Sequence, residues 1–262
     1  VRREINLLVS AERTAKEILE AESVLSSTVS FQLGDTLNSG RSLAKYKETD
    51  LEEFLEELAA DKVSPTAAGV RLIKNDKGDS LPEVSGTGIF KKDKLVGWLD
   101  SHGTRNLLFV KDKIKGGIVV TTEDVIRKQK SLSLEIERSR TVIKPEYSNG
   151  KLSIKININL DVAIAELATK KNYMSKDVRP LIEKKAEEHL SGDIENTIKE
   201  VQKKYESDIF GFARTIGAKM PKEWDSIKDK WDQEFVDLPV EVNVSVSIKG
   251  SAVASKPIMV GE

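Results

Sequence analysis

The residue types that hydrolases use stand together once in this chain, at Asp100-Ser101-His102-Gly103. Serine, histidine and aspartate act as nucleophile, base and orienting acid only when they converge in space, and triad members normally come from separate segments. Here they are neighbours in a polar stretch, so the spacing reads as a turn and assigns no catalytic residue. His189 follows Glu187 and Glu188 with no second histidine or cysteine nearby, the pattern of a surface or boundary histidine rather than a metal ligand. Gly86-Thr87-Gly88 leads into a strand-like run, whereas a dinucleotide loop needs a third glycine and must open a helix. Gly116-Gly117 reads as a turn or bulge. Asp76-Lys77-Gly78-Asp79 has the start of a calcium loop, but it lacks the closing carboxylate and carries a lysine inside. No cofactor and no metal are expected.

Bulk composition narrows the classes further. The 262 residues are 39% hydrophobic and 32% charged, which is material for two or three folded units beneath a charged surface. Lys plus Arg is 42 against 43 Asp plus Glu, a net charge of −1. A protein that lived on nucleic-acid phosphates would carry a basic excess, so no nucleic-acid partner is expected. The lysine runs Lys91, Lys92, Lys94 and Lys111, Lys113, Lys115 are interleaved with Asp93 and Asp112 and read as solvated strand edges. The absence of cysteine removes disulfides, thiolate zinc sites and cysteine nucleophiles without fixing a compartment. No apolar run approaches the roughly 20 residues that span a bilayer. Val1-Arg2-Arg3-Glu4 reads as mid-domain sequence with no signal peptide, so a fragment or processed form is expected.

The elements that would position any site follow from periodicity. Ile5 to Val9 reads as a buried strand, and Ala15, Ile18 and Leu19 have helical spacing within 11–22. Residues 29–37 fit either type. Thr49 is the expected N-cap of a helix that places Leu51, Phe54, Leu55 and Leu58 on one face. Residues 65–73 lead from a loop into a strand. Residues 86–90 and 94–99 form strands joined by a hairpin turn at 91–94, and 104–110 begins as a helical turn. Leu132, Leu134 and Ile136 alternate with polar residues before a turn at Pro145 and Ser148-Asn149-Gly150. Leu152 to Leu160 and Val240 to Ile248 alternate strictly, which marks antiparallel strands with one buried face. Between them, Val178, Leu181, Ile182, Ala186, Leu190, Ile194, Ile198 and Val201 recur at three and four. They predict a long helix from a Ser175 cap to Tyr205, bent at Gly192, over the apolar sheet face.

The expected fold class is therefore α+β and multi-domain. Its C-terminal domain is an antiparallel or mixed sheet covered on one face by a long amphipathic helix. Three units are drawn: 1–75, α+β; 76–128, small and mostly β; and 129–262, sheet plus helix. Aromatic residues cluster late in the chain, at Tyr205, Phe210, Phe212, Trp224, Trp231 and Phe235. They read as a core patch where the helix turns onto the sheet edge, the alternative being an exposed partner-binding patch.

Two stretches carry a resemblance. Gly86-Thr87-Gly88-Ile89 continues into FKKDKLVGWL, residues 90–99, and Tyr205-Glu206-Ser207-Asp208-Ile209-Phe210-Gly211-Phe212 is followed by Pro221, Trp224, Trp231-Asp232 and Phe235. Their order and spacing resemble the two signatures of the Ger(x)C family of spore germination lipoproteins, from about Gly86 to Gly250, and residues 1–75 resemble a remnant of that family's N-terminal domain. The resemblance implies a non-enzymatic subunit of a nutrient germinant receptor that works with membrane-spanning A and B subunits. It also implies a signal peptide and lipid-modified cysteine in the full-length protein, anchoring it to the outer leaflet of the spore inner membrane. On this reading the structural or interface residues are Gly97, Trp98, Asp208, Phe210, Gly211, Phe212, Trp224 and Trp231. Asp208 and Gly211 would shape a fixed turn, with Asp208 accepting backbone hydrogen bonds. Two other classes stay open. An exported binding protein would show a deep pocket with convergent polar groups, and a cell-wall or cortex hydrolase would show paired carboxylates across a cleft.

Overall fold

The computed structural model describes residues 7–39, 43–60, 62–121, 132–166 and 177–251. Two four-stranded sheets carry the fold. The first contains β1 (Val9–Ala11), β2 (Thr66–Lys74), β3 (Ser80–Lys91) and β4 (Lys94–Leu99) in that spatial order. The second contains β5 (Ile118–Thr121), β6 (Leu132–Ser148), β7 (Lys151–Glu166) and β8 (Val240–Ser251), also in order. With the helices described below, the chain is α+β with two mixed sheets. In the first sheet β1 runs parallel to β2 and the rest is antiparallel.

Small helices cover the first sheet. α1 (Ala15–Leu19) is capped by Thr14, and residues 29–37, which fit either type by sequence, lie in α2 (Val29–Ser39). Ile18, Val29, Leu33, Leu37 and Tyr46 meet Ala68, Val70 and Val84 in a compact core of their own. α3 (Leu51–Ala59) departs from its sequence reading. Asp50, not Thr49, caps it, Oδ1 accepting the Glu53 N–H at 2.7 Å. Leu51 and Leu55 are exposed, while Glu57 is buried. Helical periodicity marks a face, but two lysines brought in by other segments decide which face turns inward.

The expected break at 75/76 falls in the turn between β2 and β3, whose ladder pairs residues 66–74 with 80–89. Hydrogen bonding therefore runs straight across that break. The other boundary, 128/129, lies outside the described residues, but β5 from the proposed middle unit is hydrogen-bonded to β6 from the last one.

In the second sheet β5, β6 and β7 are antiparallel, but β7 and β8 are parallel, with Ile154 opposite Val240 and Val162 opposite Ile248. Alternation reports one-sided burial and is blind to strand direction. Direction is set by the connection, here α5 (Arg179–Glu200), α6 (Phe212–Lys219), α7 (Pro221–Ile227) and α8 (Trp231–Asp237). The strand β6 passes through Pro145, paired with Ile154, and turns only at Asn149-Gly150, both with positive φ. β5 ends opposite Leu132, so near Pro145 the second edge of β6 has no ladder partner and the missing N–H is harmless.

The buried face carries Ile154, Ile156, Ile158, Leu160, Val162 and Ile164. α5 packs on it from the β8 side through Ile182, Ala186, Leu190, Ile194 and Ile198. The helix runs through Gly192 uninterrupted, Leu181 is exposed, and the expected Ser175 cap lies outside the described residues, as do Ile5 and Asn6. Cover also comes from α4 (Ser101–Val110), a full helix capped by Asp100, whose Leu107 and Phe109 join the same core.

Side chains occupy much of the outer edge of β8 and part of the edge that β6 presents beyond β5. Glu183, Glu187 and Glu195 on α5 accept the outward N–H groups of Ile248, Val246 and Val242 at 2.8, 2.9 and 3.1 Å. On the far edge Asp112 accepts the Thr141 N–H at 2.7 Å and Lys219 donates to the Ile143 carbonyl. An edge so occupied does not template another strand.

Candidate functional site at the meeting of the two signature stretches

The two signature stretches lie far apart in sequence and in contact in space. α5 ends in one π-helical segment, Val201–Tyr205, closed by Glu206 in the left-handed region at φ 47°. Gln202 in that segment donates to the Phe235 and Leu238 carbonyls, both at 2.9 Å, which ties the wider turn to α8. The extra residue in a π-turn redirects the side chains that follow. Tyr205 is thereby brought against Gly97 of β4, and its hydroxyl donates to the Trp98 carbonyl at 2.9 Å. Glycine is required there because a Cβ would stand 2.0 Å from Tyr205 Cε1. The half-buried Trp98 ring lies over Gly69 of β2.

Asp208 sits at the start of α6. Its Oδ1 accepts the Gly211 and Phe212 N–H groups at 2.9 and 3.1 Å, and its Oδ2 accepts that of Ala213 at 2.8 Å. Gly211 takes the left-handed conformation at φ 79°. Three helix-end donors without helical partners are thus satisfied by one buried carboxylate. Burial pushes the Asp208 carboxyl up to about 6, and the three N–H groups and the Lys111 cation pull the other way without cancelling it. The Asp208 carbonyl accepts from Ser64, so this turn also fastens the segment that follows α3.

The aromatic residues are packed inside. Phe210 and Phe212 stack at 5.2 Å, Phe212 reaches Phe235 at 6.4 Å, and Trp231 meets Phe235 at 5.9 Å and Trp224 at 5.4 Å. Phe210, Phe212, Trp231 and Phe235 are buried; Trp224 is part-exposed at the edge of the cluster, over Gly217. The structure thus joins Gly97 and Trp98 to the turn containing Asp208, Phe210, Gly211 and Phe212, with Trp224 and Trp231 behind it.

A charged network lies beneath, and nothing in its local sequence signals it. Lys47 is fully buried, 3.0 Å from Glu53 and 3.8 Å from Glu57. Glu57 also pairs with Lys111 at 2.7 Å, and Lys111 donates to the Ile209 carbonyl beside Asp208 at 3.1 Å. Burial lowers Lys47 to about 8, helped by Lys111 and opposed by Glu57 and Glu53. Burial also disfavours ionised Glu53, but Lys47 and Lys113 outweigh it and hold that carboxyl at about 2. The network binds α3, the end of α4 and the second signature turn into one piece.

Above this junction the β3–β4 hairpin projects. Lys92, at φ 58°, and Asp93 make its turn, and Leu95 and Val96 are 39% and 41% exposed. Lys91 pairs with Glu206 at 3.3 Å, holding the tip to the π-turn. Between tip, α3 and α8 lies a cleft of about 510 Å³ that includes Lys62, Glu206 and Trp231. Asp208 lines it too, but both of its oxygens are already accepting main-chain N–H groups.

The triad residue types do not assemble. Asp100 caps α4 through Gly103 N–H at 2.7 Å, and the carboxylate on His102 is Asp193, 3.1 Å from Nε2. His189 reaches the same Asp193 oxygen at 3.3 Å. The i,i+4 spacing of His189 and Asp193 was visible in sequence; the approach of His102 was not. Among the described residues no group of three or more His, Asp or Glu is placed to hold a metal ion.

A family model described as spore germination B3/GerAC like, C-terminal, matches residues 85–252, which takes in both signature stretches and the strand β8. The chain belongs to that family. Spore germination protein KC of Bacillus subtilis (strain 168) is 26% identical over 223 residues, covering 80% of this chain and 54% of that protein. Spore germination protein B3 of the same organism is 29% identical over 182 residues, 68% of this chain and 47% of the relative. The chain spans about half the length of these curated GerAC-like relatives. The crystal structure of the GerBC protein has the same fold, with a TM-score of 0.72 at 22% identity, over 93% of this chain and 68% of that one. The Ger(x)C resemblance and the α+β fold read from the sequence both stand.

Proposed function

We propose that this chain is the C-subunit component of a nutrient germinant receptor and acts in spore germination by protein–protein contact, without chemistry of its own. The observation that carries the reading is the braced hairpin: the exposed Lys92–Val96 tip rests on the Gly97–Tyr205 contact and the Lys91–Glu206 pair. A rigid exposed tip with two apolar residues among lysines suits a docking surface, because little side-chain and backbone freedom is lost on binding. The reactive residue types are committed elsewhere, Asp100 and Asp208 to helix ends and His102 to Asp193. Among the described residues no helix is long and apolar enough to cross a membrane. In the full-length protein, an N-terminal lipid would hold it to the outer leaflet of the spore inner membrane beside the membrane-spanning A and B subunits.

The test replaces Leu95 and Val96 together by glutamate in the full-length protein. Co-purification with the membrane-spanning subunits and nutrient-triggered germination are expected to fall together, while thermal unfolding of the isolated chain stays within about 0.5 kcal/mol of the parent, as for surface changes. Undiminished association with the variant would remove the hairpin tip from the interface.

A further inference from the structure

The seam between the two sheets opens on a second cleft, of about 730 Å³, remote from the hairpin tip. One wall is built by Leu43, Lys45 and α4; the other by the link into β5 and by β6. Three cations line it, Lys45, Arg105 and Lys115, against one carboxylate, Glu135. His102 lines it as well, with its Nε2 held by Asp193. Elsewhere lysines pair readily, Lys111 with Glu57 and Lys113 with Glu53 among them. Among the described residues no carboxylate stands within 4 Å of Lys45, Arg105 or Lys115, although Asp193 and Asp100 favour the Arg105 charge from farther off.

Arg105 is the most constrained of the three. Its Nη1 donates to the Ile118 carbonyl at 3.2 Å, which fixes the guanidinium plane, and its Nε is buried with no hydrogen-bond partner among the described residues. With Nε buried and Nη1 engaged, the guanidinium offers a carboxylate in the cleft its remaining terminal N–H groups and its charge. The rim adds apolar surface, Leu43 at 56% and Ile118 at 53% exposure. Clefts between packed units with a few convergent polar groups and apolar walls are where small ligands bind.

We infer that this cleft binds a small organic anion, its carboxylate on Arg105 with Lys45 and Lys115 nearby, and a short apolar tail against Leu43 and Ile118. The inference is independent of the receptor reading, since it concerns a different surface.

Hexanoate, hexylammonium and inorganic phosphate titrated into the isotope-labelled chain decide it by amide chemical shifts. Hexanoate is expected to give saturable shifts centred on residues 43–45, 101–105 and 116–118, hexylammonium none, and phosphate weaker ones. Arg105→Gln should weaken hexanoate at least tenfold, and the paired change Lys45→Gln with Lys115→Gln, both on exposed side chains, severalfold. No saturable shifts with hexanoate, or hexylammonium binding as well, would overturn the proposal. Phosphate binding as tightly as hexanoate would overturn the organic part of it. Should Arg105→Gln fail to fold, the lysine pair decides: unchanged hexanoate affinity there counts against the site.

Discussion

Gly97 and Tyr205 share one space: the ring of Tyr205 fills the position where any side chain at 97 would begin, and its hydroxyl bonds the next carbonyl along β4. The two signature stretches are halves of a single contact, which fastens the first sheet to the end of α5.

Gly97→Ala should therefore destabilise by about 1–3 kcal/mol, the usual scale of overpacking. Tyr205→Phe keeps the ring and loses one hydrogen bond, about 0.5–1.5 kcal/mol. Combining Gly97→Ala with Tyr205→Ala should relieve the clash, so chemical denaturation should show clear non-additivity. Strict additivity would mean the two residues do not meet.

Asp208→Ala leaves three N–H groups without their acceptor and should destabilise by about 1–3 kcal/mol. The pH dependence has a definite sign. The folded carboxyl titrates at about 6 against an ordinary 3.8, so between those values the folded chain holds more protons than the unfolded one. This group's contribution to stability is present below 3.8 and falls as pH rises through about 6. Denaturation midpoints measured across that range should lose this component in Asp208→Asn; an unchanged slope would refute the assignment.

Glu57 stands between Lys47 and Lys111, both largely buried. Glu57→Ala strands Lys111 and leaves Lys47 with Glu53 as its carboxylate, and should cost about 3–5 kcal/mol, the scale for breaking a buried pair. Lys111→Met combined with Glu57→Met removes both charges of the close pair and should sit closer to the parent than Glu57→Ala alone, read by thermal unfolding.

Replacing Glu183, Glu187 and Glu195 together by alanine should uncover the edge of β8. Light scattering is expected to show self-association of that variant at concentrations where the parent stays dispersed, since an open edge recruits further strands. A variant that remains dispersed would show that α5 shields the edge by bulk alone.

Much of the second sheet was legible from the chain. Leu152 to Leu160 and Val240 to Ile248 alternate because a strand turns successive side chains to opposite faces, and that periodicity is local. The three-and-four spacing from Ile182 to Ile198 marked the α5 stripe for the same reason. Asp208 and Gly211 were readable as a turn because a carboxylate three residues ahead of a glycine suits a helix entry.

Distance in sequence hid the rest. The parallel pairing of β7 with β8 depends on how some seventy intervening residues return, which alternation does not encode. Leu51 and Leu55 share a helical face with every sign of burial, yet α3 turns Glu57 inward because Lys47 and Lys111 arrive from two other segments. The acids at 183, 187 and 195 look like a solvated helix face until β8 is laid beside them. By itself the sequence determined the periodic elements, the family signatures and the turn at Asp208, all products of local geometry. The tertiary structure alone decided which helix face is buried, which strand edges are capped and that Tyr205 lies on Gly97. Those outcomes depend on charges and surfaces meeting across the fold, and no local pattern contains them.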